Sequence, residues 1–132
     1  MKRGQGLVEF ALILPLLLLL IIGTLDLARL FHAKVVTNNA AREGAYYLSY
    51  FPEDKTNCLD GVCYQGTIDA AFNEAQNVGI TLDRNLVFVD ESLCCTSGLP
   101  IEVSVRHVIN LAILDFFTGP FTLESTVRMM VQ

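Results

Sequence analysis

Positive charge is scarce over most of this sequence. From Phe51 to Gln132 there are eleven acids against four basic residues. Nucleic-acid binding depends on neutralising phosphates with Lys and Arg, so that class is excluded here. The same shortage excludes a polybasic module for anionic lipid surfaces. Histidine is scarcer still. His32 sits beside Phe31 in a helical stretch and His107 ends a strand-like one. Each is alone in sequence, and a lone histidine reads as structural rather than as a ligand or base. No phosphate-cradling loop, serine-centred elbow or dinucleotide fingerprint is present. Asp90-Glu91 reads as a solvated loop rather than a calcium site. The expectation is a protein that is not an enzyme, with no cofactor, no metal and no small-molecule substrate. An acidic domain kept soluble by repulsion fits this balance.

Zinc spacing is missing as well. The four cysteines are Cys58, Cys63, Cys94 and Cys95, with no C-x2-C pair among them. All four follow a long apolar run, and if that run carries the rest of the chain out of the cytoplasm, disulfides become favourable. Three full pairings are open. A direct Cys94–Cys95 bond would strain the connecting peptide, so Cys58 or Cys63 is expected to join the 94–95 pair, tying a long loop to the sheet.

What the chain has in abundance is apolar residues at its start. Leu7 to Leu25 is nineteen residues, interrupted by Glu9. As a helix this run is about 28 Å long at roughly 1.5 Å per residue. That approaches the thickness of a hydrocarbon core, so a membrane-spanning helix is expected. Lys2 and Arg3 precede it, which predicts a cytoplasmic N-terminus with the bulk of the chain outside. A cleaved secretory signal fits less well. The run exceeds the usual apolar length of roughly 7–15 residues, and no small-x-small site follows it. Glu9 is the anomaly, since a carboxylate within a bilayer costs roughly 2.5–3.5 kcal/mol on insertion scales.

The helical pattern continues past the membrane edge. Leu27, Leu30, Phe31, Val35, Ala41, Ala45 and Leu48 recur at mostly three- and four-residue steps, with Asp26, Arg29, Lys34, Arg42 and Glu43 between or beside them. An amphipathic extension over 26–50 is therefore expected, ending before Pro52. Pro15 removes one backbone donor and predicts loosening near Leu12.

The stretch from Arg3 to Leu12 (RGQGLVEFAL), followed by Pro15 and the leucine run, resembles the N-terminus of TadE-like proteins. These are pilin-like minor components of tight-adherence pilus systems. The likeness continues through Asp26-Leu27-Ala28-Arg29-Leu30-Phe31 and Asn39-Ala40-Ala41-Arg42-Glu43-Gly44-Ala45. It implies a minor pilin or pseudopilin in the bacterial inner membrane, with residues 1–4 as leader and 5–25 as the membrane span. A prepilin peptidase would cut between Gly4 and Gln5, and other pilin-like subunits would pack on the N-terminal helix. Glu9 would then stand five positions into the mature chain. There it could neutralise the new ammonium of its own chain or a neighbour's. A single-pass anchored binding or adhesion module is the alternative.

Residues 51–132 are expected to form a small extracytoplasmic α+β domain, pilin-like in having a long helix packed on an antiparallel sheet. Residues 51–66 read as a loop. Thr67 is a candidate cap for a short helix with Ile68, Ala71, Phe72, Ala75 and Val78 on one face, ending at Gly79. Leu86 to Val89 reads as a strand. Ile101 to Arg106 and Phe121 to Met129 alternate as half-buried strands, with Ser125 as an exception on the apolar side. Residues 108–120 are ambiguous, and the resemblance implies a long connection between paired strands. Tyr46, Tyr47, Tyr50 and Phe51 cluster at the helix end, either packed under the domain or offered to another subunit.

Overall fold

The computed structural model of the chain describes residues 4–59, 63–90, 97–113, 115 and 119–132. Its first element is one helix, α1 (Gln5–Tyr50), assigned without a break through Pro15. At 46 residues it is about 69 Å long. A 3₁₀ turn (Pro52–Thr56), a second helix α2 (Gln65–Asn77) and three strands follow: β1 (Val87–Val89), β2 (Pro100–Ile109) and β3 (Phe121–Met130). The sheet is antiparallel in the order β1-β2-β3. This is the expected α+β arrangement of a long helix, a short second helix and a small antiparallel sheet.

Alternation builds the sheet as the sequence predicts. Ile101, Val103 and Val105 are fully buried against α1 and α2, and Met129, Val127 and Ser125 stand opposite them on β3. The other face is wet and polar. Glu102 pairs with Arg128, Ser104 bonds Thr126 at 2.7 Å, and Arg106 pairs with Glu124 at 3.2 Å while lying over the Phe88 ring. Ser125 breaks the apolar pattern because its hydroxyl donates to Asn38 Oδ1 on α1 (2.9 Å). A buried hydroxyl needs such a partner.

The buried stripe of α1 differs from the expected one. It consists of Ala33, Val36, Thr37, Ala40, Ala41, Gly44, Ala45 and Leu48, whereas Leu27, Phe31 and Val35 are exposed. Small residues win the inner face because α2 and the sheet approach the helix backbone closely. A Cβ at Gly44 would stand 3.3 Å from the Thr67 carbonyl oxygen and 3.4 Å from Ala71 Cβ and Val103 Cγ1. Gly44 lowers helix propensity by about 1 kcal/mol relative to Ala, and this crossing is what it permits.

Two further expectations are corrected. Thr67 does not cap α2; it lies inside the first turn, after a left-handed Tyr64 (φ 63°). The orphan amides are served from a distance by Asp54. Its Oδ1 accepts the Gly66 N–H (3.0 Å), and its Oδ2 accepts the Thr67 N–H (2.8 Å) and hydroxyl (2.7 Å). At its other end α2 stops as foreseen. Gly79 takes a φ of 83°, and Ile80 N–H and Gly79 N–H return to the carbonyls of Ala75 and Gln76.

The disulfide is the second correction. Cys58 joins Cys63, not the 94–95 pair. A hydrogen bond from Gln65 N–H to the Asn57 carbonyl stands beside this bond, and the two cysteine Cα atoms are 3.9 Å apart. The loop is tied to itself rather than to the sheet. Cys94, Cys95 and Glu91 lie outside the described residues.

Candidate membrane and assembly interface

The lower part of α1 carries its large side chains outward on all sides. Leu7, Phe10, Leu12, Leu16 and Leu20 are 58–74% exposed, and none of the apolar window is buried within the chain. This helix is long and apolar enough to cross a membrane. Burying about twenty such residues in water-free surroundings is what hydrocarbon offers and water does not. Length and composition suit this segment to membrane association.

Glu9 stands in this apolar stretch, exposed, about one helical turn after Gln5. Among the described residues no ion pair involves it. Its position near the helix N-terminus suits an anion, because the first-turn amides present partial positive charge. Gly4 is exposed at the start of α1, and a Cβ there would meet nothing within 4 Å. Met1, Lys2 and Arg3 lie outside the described residues.

Above the apolar span a collar ties stem to domain. Asp26 is 3% exposed, and its carboxylate accepts the backbone N–H groups of Ala112 (3.0 Å) and Ile113 (2.8 Å). These two bonds, Ile113 first, hold its carboxyl below the usual carboxylate range. The turn they anchor belongs to the β2–β3 connection. Among its described residues Leu111 is buried, and an Asp115 N–H to Leu111 carbonyl bond gives it helical character. The ambiguous 108–120 stretch is therefore divided. Val108 and Ile109 continue β2, and the chain then turns down along α1.

The two histidines, isolated in sequence, share a cleft of about 320 Å³ with Arg29, Ile80 and Asn110. Partial burial holds His107 below its ordinary value. Among the described residues no three His, Cys, Asp or Glu side chains converge to hold a metal ion. The long-range contacts Asp26–Ile113, Asp54–Thr67 and Ser125–Asn38 were not readable from spacing. Only a polar residue set in an apolar pattern, as at Ser125, hinted at any of them.

Leu27, Phe31 and Val35, at 51%, 63% and 58% exposure, form a line at four-residue steps that extends the apolar stem past Asp26. Higher up, the rings of Tyr46 and Tyr50 lie 4.8 Å apart, and both are about half exposed. Tyr47 instead packs inward, where a Cβ on Gly66 would come within 2.5–2.7 Å of its ring. The aromatic cluster thus divides between packing and surface.

No curated protein and no solved structure matches the chain. A family model does match, over residues 4–45, and those residues are the apolar stem and most of the buried stripe of α1. Its description is TadE-like protein, the family that the N-terminal residues resemble, and the match points to a protein associated with the tight-adherence pilus.

Proposed function

We propose that this chain is a TadE-like minor pilin or pseudopilin, a structural subunit in the assembly of a tight-adherence, type IV-like pilus. It is made in the bacterial inner membrane with its N-terminus cytoplasmic and its α+β domain extracytoplasmic. A prepilin peptidase trims it between Gly4 and Gln5. The observation that carries this reading is the single unbroken α1. Its lower half is apolar on every side around Glu9, and its upper half is locked into a folded domain.

A helix that is apolar all round can exchange lipid for neighbouring helices at little cost in burial, since packing and polar contacts decide helix association in membranes. The exposed line Leu27, Phe31 and Val35 extends that contact surface above the membrane. Glu9 supplies register. A neighbour's new ammonium makes the buried carboxylate tolerable in one alignment, and other alignments leave it unpaired. Catalysis has no part in this role.

Two measurements test it. The intact mass of the mature protein is expected to correspond to a chain beginning at Gln5. Glu9→Ala is expected to insert normally in the membrane but to reduce piliation strongly. A mature chain that keeps Met1 to Gly4, together with unchanged piliation in Glu9→Ala, would replace this reading with a membrane-anchored binding module.

A further inference from the structure

We infer that the turn of the β2–β3 connection around Ala112 and Ile113 is seated in the outer headgroup–acyl boundary of the bilayer, so that the domain holds the membrane at two places. The inference rests on the membrane-spanning reading of the stem. If the hydrocarbon ends near Leu25, where the apolar run gives way to Asp26, then Gly23 lies about 3 Å inside that edge at 1.5 Å per residue. Ile113 reaches this level. Its Cδ1 is 3.8 Å from where a Gly23 Cβ would stand. Together with Leu27, Leu30 and Leu111 it lines a narrow apolar cleft of about 220 Å³ beside the stem.

The chemistry of the turn suits that depth. Backbone amides away from water must find partners within the protein, at several kcal/mol each if they do not. Here Asp26 accepts from Ala112 and Ile113, and Asp115 N–H and Gly119 N–H return to the carbonyls of Leu111 and Asp115. An exposed loop in water would need none of this. The turn is also polarised along the stem. Asp115 shares a cleft with Arg29 and Asn110, and Arg29 lies six residues, about 9 Å, above Gly23. Ile113 faces the apolar end. Ala112 is exposed between the two, next to Ile113 in sequence and at the rim of the cleft that holds Arg29 and Asp115, where the apolar and polar sides of the turn meet.

The sequence contains no tryptophan, so single Trp reporters can be placed in the full chain without removing any. The variants Leu19→Trp, Ala112→Trp and Thr126→Trp would be reconstituted at low protein-to-lipid ratio in vesicles whose acyl chains are brominated near the headgroup or near the methyl end. Ala112 and Thr126 are exposed; Ala112→Trp leaves the backbone bond to Asp26 in place, and Thr126→Trp gives up only the hydroxyl bond to Ser104 on the wet face. Thr126, on the wet face of the sheet, is the aqueous reference. The expected result is strong quenching at Leu19→Trp. Ala112→Trp should emit to the blue of Thr126→Trp and be quenched several-fold more than it, most by bromine near the headgroup. Quenching at Leu19→Trp with Ala112→Trp indistinguishable from Thr126→Trp would overturn the inference and leave the stem reading intact. No quenching at any position would overturn both.

Discussion

The two halves of α1 both carry many apolar residues and do opposite things with them. Below Asp26, large aliphatic side chains point outward in every direction. Above it, the buried positions are mostly alanine, with Gly44, Thr37, Val36 and Leu48, and the larger Leu27, Phe31 and Val35 are left outside. The upper half also carries Arg29, Lys34, Arg42 and Glu43 on its outer side, but among the apolar residues it is size that separates the halves. A helix meeting lipid gains from bulk, which fills a fluid solvent. A helix meeting a sheet and a second helix gains from smallness, which lets backbones approach and leaves no void.

The sharpest way to break this comparison is a matched pair of truncations. Leu48→Ala, at a fully buried site, is expected to destabilise the domain by about 2–5 kcal/mol. Leu18→Ala, equally apolar but facing outward, is expected to change domain stability by less than about 0.5 kcal/mol. Urea unfolding in detergent micelles, read by a domain signal, compares them. Equal losses would mean that the lower half is part of the core after all.

Next in size is the carboxylate that caps α2. Asp54→Ala leaves the Gly66 and Thr67 amides without their partner in a buried setting, and about 1–3 kcal/mol is expected to be lost. Thr67→Val removes only the hydroxyl contact and is expected to cost less. Reversal of that order in the same unfolding assay would reject Asp54 as the principal cap.

Asp26 tests the collar between the halves. Its carboxyl titrates below the usual carboxylate range in the folded protein, so its contribution is present above that range, near about 3.9. It is lost as pH falls through the lowered folded value. Amide-exchange protection at Ala112 and Ile113 is therefore expected to fall at acid pH. Asp26→Asn should weaken protection at neutral pH and flatten the pH dependence. A wild-type profile with no acid limb would contradict the assignment.

The smallest effect is expected at the wet face of the sheet. Arg106→Ala removes a half-exposed ion pair with Glu124 and a contact over Phe88. A loss of about 0.5 kcal/mol or less is expected in low salt, and still less in high salt.

Much of this architecture was legible in the sequence. Length and apolar run give α1, and alternation gives β2 and β3 close to their observed bounds. Gly79 gives the end of α2. The misses share one cause. Asp26 meets Ile113 across 87 positions, and Asp54 meets Thr67 across 13. Periodicity reports which side of an element is apolar, but it does not report which distant backbone amide a carboxylate will find. The expected stripe holds at Ala41, Ala45 and Leu48 but not at Leu27, Phe31 and Val35, because close approach of α2 and the sheet leaves room only for small residues over most of the inner face. The expected link from Cys58 or Cys63 to the 94–95 pair gives way to a local bond, Cys58 to Cys63, beside the Gln65–Asn57 contact. Glu9 stands out in sequence as a charge in an apolar run, and it is exposed on α1.

Because α1 runs as one helix from Gln5 to Tyr50, stem and domain share a single element. A pull on the stem along its axis would load the stripe from Ala33 to Leu48 in shear, all its contacts at once, instead of peeling them in turn. Gln132 N–H bonds the Ser49 carbonyl, and Asp26 grips the β2–β3 turn, so both ends of that stripe are fastened. Contacts loaded together resist such a pull as a sum rather than one by one.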